Sequence, residues 1–201
     1  MVSTPVPVPK INEISGEAVS LDPVSNEDQI MGNREAKVVL IEYGDFQCPY
    51  CGKFFKETEQ VFRQTYVKEG RLQFVYRDYA FLGKESIKTA EAARCAGDQN
   101  KFWEYHDYLF EHQNGENQGN FSDFNLKSFA EILGLNINSF NQCLDSGKYT
   151  RMIADSLASG NKAGVKGTPK GFILKDGRIT DTIDGAEPTA MVIDKIEKAL
   201  K

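Results

Sequence analysis

The chain has 201 residues, with 24 Lys and Arg against 29 Asp and Glu and a net charge of -5. This length suits one domain, with or without a large insertion. The acidic balance and the lack of a long Lys/Arg run argue against nucleic acid as a partner. No apolar stretch has the roughly 20 residues that a membrane-spanning helix needs, and residues 1–10 lack the apolar centre of a signal peptide. We therefore expect the chain as given to be soluble.

The first 28 residues are predicted to form a linker. Three of the seven prolines lie in residues 1–10, where neither a helical nor a strand period is present. This composition is typical of extended connecting segments. We expect the folded domain to occupy residues 29–201, and the linker to join it to an upstream element such as an export signal or a membrane anchor.

A βαβ unit is predicted after the linker. The run KVVLIEY, which begins at Lys37, is apolar and β-branched, as in a strand that is covered on both faces. Apolar residues then recur at helical spacing through Phe55, Phe62 and Tyr66. The run RLQFVYR, which begins at Arg71, predicts a second strand. Because a strand, a helix and a strand follow within about forty residues, the two strands should be parallel.

The rest of the chain divides into a helical insertion and a second strand region. Residues 84–163 carry helical periodicity, interrupted by the polar, glycine-containing loop HQNGENQGN. The pair Asp176-Gly177 between two β-rich runs indicates a hairpin. Residues 187–200 predict a final helix with Pro188 in its first turn. The predicted order is therefore β-α-β, helical insertion, β-β-α.

The motif Cys48-Pro49-Tyr50-Cys51 lies between the first strand and its helix. A proline suits the first helical turn, so Cys48 falls at or next to the N-cap, where free N–H groups and the helix dipole stabilise a thiolate. Cys51 lies one turn further on, on the apolar face of the helix. This arrangement predicts that Cys48 is an accessible attacking thiol and that Cys51 resolves the mixed disulfide.

Other interpretations of the four cysteines compete with redox chemistry. A C-x-x-C pair is also half of a zinc ribbon, but Cys95 and Cys143 are 48 residues apart, and the two histidines are His106 and His112. The pair can also be incidental. The even total of cysteines fits two disulfides and four reduced thiols equally well. We interpret both histidines as structural, and expect neither a metal nor another cofactor.

Several motifs together resemble the DsbA-like thiol:disulfide oxidoreductase family. They are GDFQCPYC, AARCA, FWEYHDYLF and GVKGTP. The βαβ unit, the β-β-α ending and the dipeptide Thr168-Pro169 before the third strand also look like the thioredoxin fold. The resemblance covers residues 29–201 and implies a thioredoxin-like α/β fold with a helical insertion.

The resemblance also implies substrate-binding residues. Pro169 matches a cis proline beside the dithiol, and Thr168, Pro169, Pro49 and Tyr50 are expected to contact a peptide substrate. An uncharged residue is commoner where Lys170 stands, so a lysine there is expected to make the rim of the site more positive. The Pro-Tyr pair between the cysteines differs from the Pro-His of the most oxidising members. The direction of electron flow therefore stays open.

A structural disulfide and a proton carrier are implied in the same way. Similar proteins carry a disulfide that matches Cys95 and Cys143 in the helical insertion; two buried free thiols are the alternative. They also carry an acidic residue near the dithiol, matched by Glu42 in the run VVLIEY, where a charge is costly and a raised pKa is expected. We expect Glu42 to relay protons for Cys51. One alternative is that Glu42 forms an ion pair with a lysine at the sheet edge. Another is that Asp45, in an exposed loop, relays the protons.

The leading functional expectation is an exported thiol:disulfide oxidoreductase that exchanges the Cys48–Cys51 disulfide with cysteine-containing proteins. The resemblance implies oxidative protein folding outside the cytoplasm, with reoxidation by a membrane quinone-linked partner. A reductase or an isomerase on the same scaffold is one alternative, and a redox-inert binding or chaperone module is another. The presence of both cysteines together with Pro169 argues against the inert module.

Overall fold

The protein folds around a five-stranded mixed sheet that carries helices on both faces. The computed structural model describes residues 20–201. The strands are β1 (Gln29–Met31), β2 (Val38–Gly44), β3 (Leu72–Asp78), β4 (Lys170–Lys175) and β5 (Arg178–Asp184). The helices are α1 (49–67), α2 (Lys84–Gly97), α3 (Phe102–Glu111), α4 (Asp123–Ile132), α5 (Ile137–Asp145), α6 (Thr150–Lys162) and α7 (Thr189–Leu200). Within residues 20–201, no helix has both the length and the apolar character that crossing a membrane requires.

Strand β2 lies at the centre of the sheet, in the strand order β1-β3-β2-β4-β5. It pairs with β3 in parallel and with β4 antiparallel. Its side chains are buried on both faces, which explains its continuous apolar run. Strands β4 and β5 form the predicted hairpin, in which Asp176 and Gly177 have φ values of 49° and 77°, as a two-residue turn of this kind requires.

Helix α1 begins at Pro49, as predicted, and Cys48 is its N-cap. Its segments are Pro49–Phe54 (α-helical), Phe55–Glu59 (π-helical), Gln60–Phe62 (α-helical) and Arg63–Val67 (π-helical). A π-helical turn shifts the following side chains around the helix axis. Glu59, at the end of the first such turn, is fully buried together with Phe55 and Phe62. Single π-helical turns are frequent at functional sites.

Three apolar clusters surround the sheet. On one face, α1 and α7 pack over the strands around Leu40, Phe74 and Val192. The other face is covered by the chain at the end of α6, where Val165 packs with Ile41. The third cluster joins the two cysteines of the C-x-x-C motif to the helical insertion. The dithiol therefore lies between the sheet and the insertion.

The helical insertion consists of α2 to α6 and contains a disulfide. Cys95 on α2 and Cys143 on α5 are joined with an S–S distance of 1.99 Å and a Cα–Cα distance of 5.8 Å. The two residues are 1% and 8% exposed. The disulfide thus connects two helices through cysteines that are 48 residues apart in the chain.

The predicted order of elements is confirmed, with one addition. Strand β1 pairs antiparallel with β3 and was not predicted from the sequence. Residues 1–19 of the predicted linker lie outside the described residues. The chain that follows packs against the domain, because Arg77 donates to the carbonyl oxygens of Asp22 and Pro23 and to the carboxylate of Asp28.

Candidate active site

The dithiol lies where β2 leads into α1. Cys48 and Cys51 are both free thiols and are 5% and 1% exposed. Cys48 thus reaches the surface less than we expected of an accessible thiol. The peptide bond between Thr168 and Pro169 is cis, and the Cys48 thiol donates to the Thr168 carbonyl oxygen over 3.3 Å. The loop before β4 therefore lies directly against the attacking sulfur.

The pKa values of the two thiols depart from the usual cysteine value in opposite directions. A hydrogen bond from the Cys51 thiol lowers the pKa of Cys48 from 9.0 to about 6, against the effect of burial and with help from the backbone N–H groups of Cys51 and Tyr50. Burial, followed by the hydrogen bond and the negative charge of Cys48, raises the pKa of Cys51 well above its usual value. At neutral pH, Cys48 is therefore mainly a thiolate and Cys51 keeps its proton.

We predict that alkylation of the reduced protein labels Cys48 first, with a half-maximal rate near pH 6, the pKa of this thiol. Because the thiolate is the nucleophile, the rate should fall about tenfold for each pH unit below that value. Mass-spectrometric mapping of iodoacetamide adducts measures both sites in one experiment. The denatured protein is the control and should label all accessible thiols alike, whereas faster labelling of Cys51 in the folded protein would reverse the assignment.

Glu42 is buried on β2, and neither of its carboxylate oxygens has a hydrogen-bond partner in the described part of the chain. The alternative of an ion pair with a lysine at the sheet edge is wrong, because β2 is central and the residues opposite Glu42 are Tyr76 and Gly171. Burial, and then the charge of Glu59, raises the pKa of Glu42 well above its usual value. The charge of Glu42 in turn raises the pKa of Cys51. The Glu42 carboxyl is therefore close enough to Cys51 to change the acidity of the resolving thiol.

Asp45 supports the active-site loop and is not in the exposed position that we expected. It is 1% exposed, and its carboxylate accepts hydrogen bonds from the backbone N–H groups of Gln47, Phe81 and Leu82 and from the Ser86 hydroxyl. Burial nevertheless raises the pKa of Asp45. The sequence does not reveal this arrangement, since three of the four donors come from a distant part of the chain.

The polar loop of residues 112–120 contacts the active-site loop from the side of the insertion. The Gln113 amide donates to the carbonyl oxygens of Phe46 at 2.6 Å and Cys48 at 3.1 Å. Gln113 also lies so close to Gly52 that a Cβ at this glycine would be 2.0 Å from its Oε1 atom. These contacts were not predicted, because a polar residue that binds the site looks the same in the sequence as a solvated one.

The other predicted residues lie around the dithiol. Pro49 and Tyr50 are exposed, and Tyr50 presents 64% of its surface beside the reactive cysteine. The Thr168 hydroxyl is buried and has no partner among the described residues. Lys170 does not add a free positive charge to the rim, as we expected, because its ammonium group pairs with the Asp184 carboxylate at 2.5 Å.

The fold and the paired thiols define a thioredoxin-like protein, and a comparison with protein families agrees. A family model described as "Thioredoxin" matches residues 25–195, which include the dithiol, the helical insertion and the cis proline. The chain belongs to this thioredoxin family.

Curated relatives share parts of the chain. An Na+/H+ antiporter of Salinispora arenicola, NhaA 1, is 34% identical over 157 residues, which are 77% of this chain and 22% of the antiporter. A Rickettsia typhi protein that is provisionally named a protein-disulfide oxidoreductase is 25% identical over 178 residues, which are 88% of this chain and 62% of that protein. The chain thus spans less than two thirds of each of these relatives.

Solved structures share the whole architecture. BdbD from Bacillus subtilis has a TM-score of 0.81 at 22% identity and covers 92% of this chain and 99% of its own. The α-DsbA1 protein of Wolbachia pipientis has a TM-score of 0.77 at 23% identity, with coverages of 89% and 92%. These likenesses confirm the thioredoxin-like fold with its insertion. The resemblance to DsbA-like proteins is thus confirmed in the fold, which includes the helical insertion.

Proposed function

We propose that the protein is a thiol:disulfide oxidoreductase that exchanges its Cys48–Cys51 disulfide with cysteine-containing proteins. The observation that carries this proposal is the opposite acidity of the two thiols at one helix start: Cys48 has a pKa of about 6, and burial keeps Cys51 protonated. The name of the Rickettsia typhi relative supports the same reaction. A redox-inert binding module would have no use for this difference between the two thiols.

The exchange proceeds through a mixed disulfide. In the oxidising direction, a substrate thiolate attacks Cys48, the Cys48–Cys51 bond breaks, and Cys51 leaves with the electron pair and takes up a proton. A second substrate thiolate then attacks the substrate sulfur of the mixed disulfide, and Cys48 leaves as a thiolate. The substrate is thereby oxidised by two electrons, and the Cys48–Cys51 disulfide is reduced by two to the dithiol. The low pKa of Cys48 makes this sulfur a good leaving group.

The acidity of Cys48 favours the oxidising direction over the reductase alternative. A pKa of about 6 instead of 9.0 stabilises the reduced form, because its thiolate exists already at neutral pH. At pH 7 the gain is about one pKa unit, or about 1.4 kcal/mol, which is about 30 mV for a two-electron couple. The stabilisation is lost as the pH falls through 6, the pKa of this thiol. Net oxidation of substrates is therefore the activity that we propose.

We propose that the peptide substrate lies across Pro49, Tyr50, Thr168 and Pro169. The exposed Tyr50 ring offers an apolar contact beside the reactive sulfur. The Thr168 carbonyl oxygen is within hydrogen-bond distance of Cys48, so a peptide that reaches this sulfur passes beside that loop. Contacts of this kind position a substrate cysteine whatever the sequence around it, as a folding catalyst requires.

We also propose that the protein works outside the cytoplasm. The buried Cys95–Cys143 disulfide supports this location, since disulfides persist in oxidising compartments and are rare in the cytosol. A membrane quinone-linked oxidant is the reoxidising partner that the family resemblance implies. We propose that the folded domain begins before Gln29, because the carbonyl oxygens of Asp22 and Pro23 accept hydrogen bonds from Arg77 on β3.

Two measurements on the purified protein test the proposal. We expect reduction of insulin disulfides in the presence of a thiol, and a reduction potential, measured against glutathione, between the values of about −270 mV for thioredoxin and about −120 mV for DsbA. Failure to reduce insulin would refute exchange with proteins, and failure to exchange with glutathione as well would refute any disulfide exchange by Cys48 and Cys51. A reduction potential below about −270 mV would show that the protein reduces its substrates instead of oxidising them.

We predict that Glu42→Gln slows the attack of Cys51 on the mixed disulfide by roughly 100-fold, the lower end of the 10²- to 10⁴-fold that a proton-transfer group contributes. Cys51 must lose a proton before it attacks, and the unpaired Glu42 carboxyl is an acceptor in the same buried region. Single-turnover release of glutathione, followed from about pH 5 to about pH 8, measures this step. Unchanged rates over that range would leave Glu42 without a function in proton transfer.

The same variant should be more stable than the natural protein at alkaline pH. Because burial raises the pKa of Glu42, the natural protein is stabilised while this carboxyl is protonated and loses that stabilisation as the pH rises through the raised pKa. The urea midpoint of Glu42→Gln should therefore exceed that of the natural protein at high pH and match it in acid. The exposed Glu69→Gln variant is the control and should show neither effect.

A further inference from the structure

A group of unpaired polar atoms extends from the dithiol into the interior. In residues 20–201, eight buried side-chain nitrogen and oxygen atoms have no hydrogen-bond partner. Five of them belong to four residues near one another: both carboxylate oxygens of Glu42, Oε2 of Glu59, the hydroxyl of Tyr76 and Nε2 of His106. Unpaired buried polar atoms are rare in folded proteins and call for a functional explanation.

The four side chains are connected in space. Glu42 and Tyr76 are register partners on β2 and β3, so their side chains lie on the same face of the sheet. The Tyr76 and His106 rings have centroids 4.8 Å apart, and His106 Nε2 lies 4.0 Å from Glu59 Oε1. The group therefore leads from the carboxyl beside Cys51 to a second buried carboxyl on α1.

From Glu59 the connection continues to the surface. Glu59 Oε1 accepts a hydrogen bond from Arg63 at 2.8 Å, and Arg63 donates to both carboxylate oxygens of Asp107 at 2.7 and 3.0 Å. The Asp107 side chain is 30% exposed, whereas that of Glu59 is fully buried. Asp107 is thus the point at which this chain of polar groups meets solvent.

We propose that Glu59 is a second proton-transfer group of the exchange site, which connects Glu42 with solvent at the Arg63–Asp107 ion pair. The inference rests on the proposed function and deepens it. When Cys51 attacks the mixed disulfide, its proton passes to Glu42, then to Glu59, and leaves at Asp107. The His106 ring links the last two groups, since its Nε2 atom lies 4.0 Å from Glu59 Oε1 and its Nδ1 atom 2.9 Å from Asp107 Oδ1. The Arg63 guanidinium keeps its own protons and holds both carboxylates in place. When Cys51 is released as a thiolate, a proton returns by the same path. Only protons move along this path, since the electron pairs stay with the sulfur atoms.

The electrostatics of the group agree with this path. Burial raises the pKa of Glu59, against the lowering effects of His106 and Arg63, and the charge of Glu59 helps to raise the pKa of Glu42. The charged and titratable neighbours are His106 and Asp107 on α3, Arg63 on α1, Glu42 on β2, and Tyr76 and Asp78 on β3. Two buried carboxyls that oppose each other's ionisation are suited to share and pass one proton.

A metal ion would be a different use of the same side chains. One ligand atom from each of Glu59, His106 and Asp107 lies within 4.8 Å of the others. Arg63, however, already donates to both carboxylates, so a cation bound there would face a buried guanidinium group. Proton transfer places no cation beside Arg63. It also accounts for the unpaired oxygens of Glu42, which is not one of the three possible metal ligands.

The test is a double-mutant cycle on the full chain with glutathione disulfide as the probe. Glu59→Gln should slow the release of glutathione from Cys48 by about tenfold, less than the roughly 100-fold or more of a group that takes the proton from the reacting sulfur itself. In a Glu42→Gln background, the same substitution should add nothing, because both residues serve one path. Glu57→Gln, an exposed glutamate on the same helix, is the matched control and should leave the rate unchanged.

Additive effects of the two substitutions would overturn the proposal, because a merely structural Glu59 would act independently of Glu42. If Glu59→Gln does not fold, infrared difference spectra of the natural protein, labelled with ¹³C-glutamate, decide the question. Reduction of the Cys48–Cys51 disulfide should then change the infrared bands of two protonated carboxyls. A change in one band alone would refute the path. Glutathione exchange needs no protein substrate, so a failed insulin assay with an intact cycle would refute only the proposed function.

Discussion

A Cys51→Ser variant should accumulate a stable mixed disulfide and lose turnover by about three orders of magnitude or more, since nothing inside the protein resolves the adduct. Cys48 keeps its place at the N-cap of α1 and the hydrogen-bonding groups of Tyr50 and Thr168, so it still attacks. Its pKa should rise, however, because the Cys51 thiol is the group that lowers it most. The first step should therefore persist at a reduced rate while the second is absent.

Non-reducing electrophoresis and mass spectrometry of the variant with a disulfide-containing protein such as insulin measure this outcome: Cys48 attacks the insulin disulfide, and one insulin sulfur leaves as a thiolate. Cys48→Ser is the matched control and should form no adduct, since the remaining Cys51 thiol is 1% exposed and keeps its proton. Adducts on the Cys48→Ser variant alone would show instead that Cys51 is the attacking thiol and Cys48 the resolving thiol.

Replacing Cys95 and Cys143 together with alanine should lower the free energy of unfolding by up to about 4 kcal/mol, the chain-entropy value for closing a loop of this length. The disulfide closes a loop between residues that are 48 apart and fastens α2 to α5. The insertion around it is helical and is described without a strand of its own, so few long-range backbone hydrogen bonds replace the lost constraint. Urea unfolding of the two proteins gives the difference.

A Cys48→Ser/Cys51→Ser double variant is the control for this measurement, because it removes two thiols and leaves the disulfide in place. Compared with the natural protein in which both active-site thiols are free, it should lose only the roughly 1.4 kcal/mol that the Cys48 thiolate contributes at pH 7, well below the loss expected for the alanine variant. A loss of less than about 1 kcal/mol in the alanine variant would show that the packing of the insertion alone maintains its structure, since a disulfide of this span normally contributes 2 to 4 kcal/mol.

The architecture was predictable where a local pattern determines the structure. The apolar run of β2, the position of Pro49 in α1 and the Asp176-Gly177 turn each indicate their element within a few residues. Strand β1 was not predictable, because its three residues form a strand only through pairing with β3. The π-helical turns of α1 were missed for a similar reason: they depend on what the helix packs against.

The candidate site was predictable as far as the cysteines and Glu42. A charged residue inside a buried strand is conspicuous, and Glu59 offered a weaker form of the same signal, since it follows Phe55 by four residues on the helix. The environments of Asp45 and Gln113 had no such signal. Their partners are 2 to 67 residues away and come together only when the insertion packs against the sheet.

The buried disulfide of the insertion also has a consequence for the biogenesis of the protein. Joining Cys95 to Cys143 removes two electrons from the newly made chain, and both sulfurs are then enclosed by the packed helices. The bond must therefore form before or during packing, when an external oxidant still reaches the thiols. Each molecule thus requires the reaction proposed for it before it performs that reaction on others. Folded copies of the protein are suitable donors of a disulfide to new chains, so the yield of folded protein should increase with the amount already made.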